Sequence, residues 1–406
     1  MRSRLPRDIS LGQQSGRRMS SYVGGRFRRA VFSLVILVVL PSAAPRAAEV
    51  ETVPGMPAVI DPANLYSEAG AGKLSPAVMA ALTRIYVPNV RSNDVYVIDP
   101  EKLQVIDRYK VGPNPEHVVP SWDLQTLWVT NNARRGAAGS LTPIDPKTGK
   151  PGPEVPVNDP YNMYFTPDGK SAIIVAERLR RLDFRDPHTM KLQYKVPTPG
   201  CRGINHADFS VDGRYAIFTC EFNGALAKID LVHNKVVGYL ALDAGSMPQD
   251  IRISPDGQLF YVADMHEDGV FLIDGDTFKI FGFLPTGVGP HGLYPSRDGM
   301  KLYVANRGVH MNGGRPHAPG SVAVVDFTSR KVEVVWPIPG GGTPDMGNVS
   351  VTGDYLWLSG RYNDEVYRID TRTGAVDKIP VGRNPHGLTV WPQPGRYSLG
   401  HTGNMR

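Results

Sequence analysis

Cysteine is nearly absent: the 406-residue chain has two, Cys201 and Cys220. That excludes four-cysteine iron–sulfur and zinc sites and a disulfide-dense scaffold. No CxxCH occurs, so haem cannot be attached covalently in the c-type manner. A P-loop, HExxH and GxSxG are missing too, which removes the P-loop phosphate cradle, zinc-protease helices and serine-hydrolase elbows. The longest apolar run, Ala30 to Leu40, falls well short of the roughly 20 residues that span a bilayer. Charge of one sign is also lacking. The formal net charge is +6, but residues 1–48 carry nine Arg and one Asp, or +8, which leaves about −2 for the rest. No basic surface for nucleic acid is therefore expected.

What those first residues do carry is an export signal. "GGRFRRAVFSLVILVVLPSAAPRAAEV" reads as a basic n-region, a short apolar h-region and small residues ending near Ala48. Residues 1–48 are expected to be a cleaved signal peptide, with Met19 as an alternative start. The product is expected to be periplasmic, secreted or on the cell surface, with no transmembrane span. Residues 49–81 match nothing else in the chain and are expected to form a lead-in segment.

From residue 82 onward one unit recurs. Its opening segments are "NPEHVVPSWD", "DPYNMYFTPDG", "INHADFSVDG", "MPQDIRISPDG", "GPHGLYPSRDG", "TPDMGNVSVTG" and "NPHGLTVWPQPG". Aligned on one column they start at Pro115, Pro160, Ile204, Pro248, Pro290, Pro344 and Pro385, at intervals of 45, 44, 44, 42, 54 and 41 residues. Each unit has an apolar strand, a "PDG"-type turn, a β-rich strand such as "LFYVAD", a third strand ending in "ID" or "VD", and a fourth. Four short strands per unit, with no helical periodicity, make a propeller blade. The expected fold class is all-β: a seven-bladed β-propeller over residues 82–406. The ring opens on the second-strand sequence "RIYVPN", and its last motif is the first strand "HGLTVW", so the two termini are expected to share one blade.

The segments "LWVTNN", "LYVANR" and "IYVPNV", with "SPDG" ahead of such strands, resemble the YVTN-type β-propeller repeat family over about residues 84–395. That resemblance implies the fold and leaves the chemistry open. Its seven-bladed relatives include the haem d1 domain of cytochrome cd1 nitrite reductase, the copper propeller of nitrous oxide reductase, lactonases and surface-layer proteins. Copper or non-covalent haem is thereby admitted as a cofactor. This chain has neither a haem c domain nor an electron-transfer copper domain, so a redox role would need an external electron partner.

In a propeller, the loop entering each first strand opens at the mouth of the central channel. The two positions after the aligned column read Glu116-His117, Tyr161-Asn162, Asn205-His206, Gln249-Asp250, His291-Gly292, Asp345-Met346 and His386-Gly387. Four of the ten histidines fall in those fourteen cells. His117, His206, His291 and His386 are the candidate metal ligands, because converging imidazoles suit a transition metal or haem. Glu116, Asn162, Asn205, Asp250 and Asp345 are the candidate ligand-binding residues. Glu177, Glu221, Asp264, His266, Asn306, Arg307 and Arg361 are expected on the same face, as is the insertion carrying His310, Met311 and His317. The competing reading is a water-filled polar funnel in which Pro-His-Gly is framework. His401 can be placed neither on the ring nor off it.

Cys201 and Cys220 fall on antiparallel neighbours of the third blade, and export favours a disulfide between them; separate thiols or a copper-ligating cysteine are the alternatives. Three functions fit: a monomeric exported module that binds a small ligand, metal or exported protein partner; a metal- or haem-dependent oxidoreductase; or a lactonase or lyase using a funnel histidine as base.

Overall fold

The computed structural model describes residues 50–132 and 136–406; the expected signal segment lies outside them. Seven antiparallel sheets are arranged as seven blades, numbered here by the order of their first strands. Blade one has the innermost strand Pro115–Pro120, followed by Leu127–Asn131 and Ala138–Asp145, whose outer edge is shared by Lys150–Pro151 and Val155–Asn158. The first strands of blades two to six are Pro160–Phe165, Ile204–Phe209, Pro248–Ile253, Pro290–Pro295 and Pro344–Val349. Blade seven takes its inner strand, Thr389–Trp391, from the C-terminal end and its three outer strands from residues 84–110. Tyr86 faces Thr389 and Arg84 faces Trp391 in that closing pair, so the ring has no open edge.

Burial follows position in the blade. Inner strands such as Ile204–Phe209 are buried throughout, whereas the outermost Lys235–Ala241 alternates exposed and half-buried residues. The core lies between blades: Tyr164, Ile173 and Phe184 of blade two pack on Ile204, Phe209 and Phe218 of blade three. The recurrent turns have local causes. Asp256 Oδ1 accepts from the Gln258 amide in the first turn of blade four. The "ID" aspartates cap the next turn, as when Asp230 accepts from the amides of Val232 and His233.

The lead-in, from Val50 to Thr83, follows the ring of first-to-second-strand turns opposite the channel mouth. Val53 N donates to Asp212 O, Leu65 N to Pro255 O and Gly72 N to Val351 O. Among the described residues, no helix is long and apolar enough to cross a membrane.

After the cis peptide Trp391–Pro392 the chain folds into a tight hairpin: Leu399 N donates to Asn404 O, and Tyr397 and Arg406 exchange backbone hydrogen bonds. This hairpin enters the channel. Asn404 Nδ2 and Arg406 Nη2 donate to Asp208 Oδ1 of blade three at 2.8 and 3.0 Å, and Leu399 O accepts from Phe165 N. Its tip, Gly400 to Gly403, carries His401 upward along the axis.

Candidate functional site at the propeller axis

Most blades break register at the two tabulated positions. The ladder of blade three pairs Ile204 with Cys220 and then Ala207 with Phe218, and those of blades four, five and six jump in the same way. Such bulges turn side chains out of the sheet, here toward the axis. The displaced amide finds a hydroxyl on the second strand: His117 N donates to Thr130 Oγ1, His206 N to Thr219 Oγ1 and Met346 N to Ser359 Oγ. The Pro-His-Gly glycine has a steric reason. A Cβ at Gly387 would lie 2.2 Å from His117 Cδ2, so only glycine lets the neighbouring imidazole reach the axis.

His117, His206, His291 and His386 form a ring, with successive centroid separations of 5.6, 6.0, 5.8 and 4.7 Å. All four are buried. They divide into two environments. His386 Nδ1 stands 2.6 Å from Asp345 Oδ2, and His291 Nδ1 stands 3.1 Å from Asp345 Oδ1. Burial holds both imidazoles well below their ordinary pKa, so the His386 contact is a hydrogen bond from a neutral ring to a carboxylate, whereas His291 Nδ1, although close to Asp345, is not in hydrogen-bonding geometry with it. Burial alone would raise Asp345, but the guanidinium groups of Arg307 and Arg361 more than offset it and keep the carboxylate charged. His117 and His206 sit instead with His401, at centroid separations of 5.3 and 4.7 Å.

The other sequence candidates are distributed. Asp250 is part of the channel wall: it accepts from Arg252 Nη1 and from the Leu293 amide of the next blade, both at 2.9 Å. Asn205 Nδ2 donates to Glu221 Oε2 at 2.9 Å. Asn162 Nδ2 stands 3.2 Å from His206 Nδ1 and 3.0 Å from His401 Nδ1. Glu116 faces the funnel, its Oε1 accepting from Asn114 Nδ2 at 2.7 Å while Oε2 has no hydrogen-bond partner.

Above the ring lies a cavity of about 400 Å³ lined by Glu116, Glu177, Glu221, Arg178, Arg307, Arg361, Tyr161, His291 and His386, among others. Asn312, from the inserted loop, reaches into it, donating to Glu221 Oε1 and accepting from Arg307 Nη1. Burial raises the pKa of Glu116, Glu177 and Glu221, and at Glu177 the other two glutamates raise it further. Arg361 stands 3.7 Å from Glu116 and 3.6 Å from Asp345, and its Nε and Nη1 make no hydrogen bond among the described residues. A wall of three glutamates and three arginines does not fit the face of a haem, which needs an apolar slot.

Cys201 and Cys220 form a disulfide at a Cα separation of 4.9 Å, joining the entry of blade three to the end of its second strand. Sequence patterning did not place His401, Arg178 or Asn312, because none lies in a repeated position.

Seven four-stranded blades around an axis lined with imidazole and carboxylate define a β-propeller with a polar axial site. Within that class, the chain belongs to the YNCE-like beta-propeller family, which matches residues 44–394. A 6-phosphogluconolactonase of Erwinia tasmaniensis is 24% identical over 265 residues, 59% of this chain and 79% of that protein. Hydrazine synthase of Kuenenia stuttgartiensis superposes with a TM-score of 0.55 at 18% identity, over 69% of this chain and 91% of that one. Dihydro-heme d1 dehydrogenase NirN, in complex with DHE, superposes with a TM-score of 0.56 at 14% identity, over 79% and 80% of the two chains. At these identities the solved structures share a fold with this chain, and their chemistry is their own.

Proposed function

We propose that this protein is an exported binding propeller that holds a small polar ligand bearing an anionic group in its funnel. The observation that carries this reading is the Arg361 guanidinium at the wall of the cavity, whose Nε and Nη1 have no hydrogen-bond acceptor among the described residues. A buried donor without an acceptor costs roughly 1–3 kcal/mol, and a carboxylate or phosphate ester in the cavity would supply an acceptor that the protein does not. The glutamates, whose raised pKa values favour the protonated form, and Tyr161 would take up hydroxyl groups of the same ligand. The leader and the disulfide support a place outside the cytoplasm.

The test is a thermal-shift and calorimetric titration with inorganic phosphate and a panel of small sugar acids. We expect saturable stabilisation by at least one probe and at least a tenfold weaker Kd in Arg361→Gln, with the unliganded Tm little changed. No saturable binding across the panel, or equal affinity in the variant, would overturn the reading.

The likeness to 6-phosphogluconolactonase supports a second reading, lactone hydrolysis, in which the funnel histidine His291, beside Asp345, acts as base. Lactone turnover abolished by His291→Ala would select it over binding alone.

A further inference from the structure

We propose that His117, His206 and His401 form a mononuclear transition-metal site on the propeller axis, completed by the C-terminal hairpin. It is separate from the funnel reading, since none of the three lines that cavity.

One ring nitrogen from each residue can be chosen so that all three lie within 4.8 Å of one another, and all three side chains are fully buried. Metal–imidazole bonds of about 2.0–2.1 Å require nitrogens roughly 3.4 Å apart in a tetrahedral site, so small rotations of the rings close the set. The tautomer of His117 is determined by its neighbour. Its Nδ1 lies 3.0 Å from the carbonyl oxygen of Tyr161, which can only accept, so Nδ1 carries the proton and Nε2 keeps its lone pair. That arrangement, with a carbonyl orienting the ring from behind, is typical of metal-binding histidine. Nε2 of His117 and Nε2 of His206 are buried with no hydrogen-bond partner among the described residues, which is unusual for two such atoms side by side. Asn162 Nδ2 contacts Nδ1 of both His206 and His401, and because an amide nitrogen only donates, metal binding through Nε2 of these rings requires the Asn162 amide to turn its oxygen toward them.

Three imidazole donors select zinc or copper over magnesium or calcium, and the nearby Asp250 carboxylate, 3.5 Å from His401 Nε2, is already engaged by Arg252 and the Leu293 amide. Three protein nitrogens leave a fourth position open, and His386, which lines the funnel, is 4.7 Å from His117 between centroids. The tail therefore does more than fill the channel: its tip supplies a ligand that the repeats do not encode.

The experiment uses the untagged full chain, stripped with chelator, then equilibrated separately with equimolar Zn(II) and Cu(II) and passed through a desalting column. Elemental analysis is expected to return one ion per chain, and Cu(II) EPR to show superhyperfine coupling to imidazole nitrogen. His206→Gln and His401→Gln are expected to lose the ion at least tenfold more readily, while surface His233→Ala retains it. Near-UV circular dichroism establishes that each variant is folded. His206→Gln leaves the hairpin sequence intact, so it decides the matter even where His401→Gln disturbs docking. Folded wild-type protein that retains no ion, or a folded His206→Gln that retains it in full, would overturn the proposal.

Discussion

Five imidazoles in van der Waals range of one another are tolerable in a protein interior only while they are uncharged. Burial supplies that condition: His117 is pushed down to about 4, and His206, His291, His386 and His401 lie well below 6.5. The unfolded chain takes up these protons near pH 6.5 and the folded chain only at lower pH, so the unfolded state binds more protons in between. Stability is thus full above about 6.5 and is lost as pH falls toward 4, by up to about 1.4 kcal/mol per pH unit for each imidazole. The raised glutamates Glu116, Glu177 and Glu221 act in the opposite sense, protonating earlier in the folded state and softening the slope. In chelator, His206→Gln is expected to flatten the fall of Tm below pH 6.5 and leave the plateau above pH 7.5 unchanged in shape. Parallel curves for the two proteins would mean that His206 already titrates normally in the folded state.

Two elements hold the site in place without belonging to it. The disulfide closes a loop of sequence separation 19 at the entry to the strand that carries His206. Closing a loop of that size contributes about 3 kcal/mol, so Cys201→Ala/Cys220→Ala should lose about that much in urea unfolding with an unchanged m-value. The C-terminal hairpin depends on one glycine at its tip. Gly400 has φ of +98°, and a Cβ there would lie 2.4 Å from Tyr164 Cα. Gly400→Ala is expected to displace the hairpin by strain and clash together, seen as faster proteolysis after Arg396 and loss of amide protection at His401. Strands, turns and the disulfide pair were legible in the repeats, because alternation, "PDG" and terminal aspartate each have a local cause. The hairpin was not, since "RYSLGHTGNMR" has no strong alternation and acquires its burial only from the channel it enters.

At the scale of the molecule, ring closure and channel filling are separate jobs done by adjacent pieces of chain. Removing residues 385–406 takes away the inner strand of blade seven and leaves an open edge on Arg84–Asn89. That chain is expected to lose cooperative unfolding and to aggregate in size-exclusion chromatography. Removing only residues 396–406 keeps the closing strand but strips Asp208 of its Asn404 and Arg406 partners inside the channel. The shorter truncation should stay a closed, cooperative fold, with Tm lower by roughly 5–15 °C.

Sequence alone determined the number of blades, the strand that closes them, and the concentration of histidine and carboxylate at one end of the axis. These follow from period, turn chemistry and the alternation of apolar residues, which act within a blade or between neighbours. Which histidines share an environment was decided only in three dimensions. His291 and His386 meet Asp345 from the blades on either side of it, and His117 and His206 meet His401 from a segment outside the repeats. Such meetings depend on how seven bulged strands converge on one axis and on what enters it from the far side, and no local pattern carries that information.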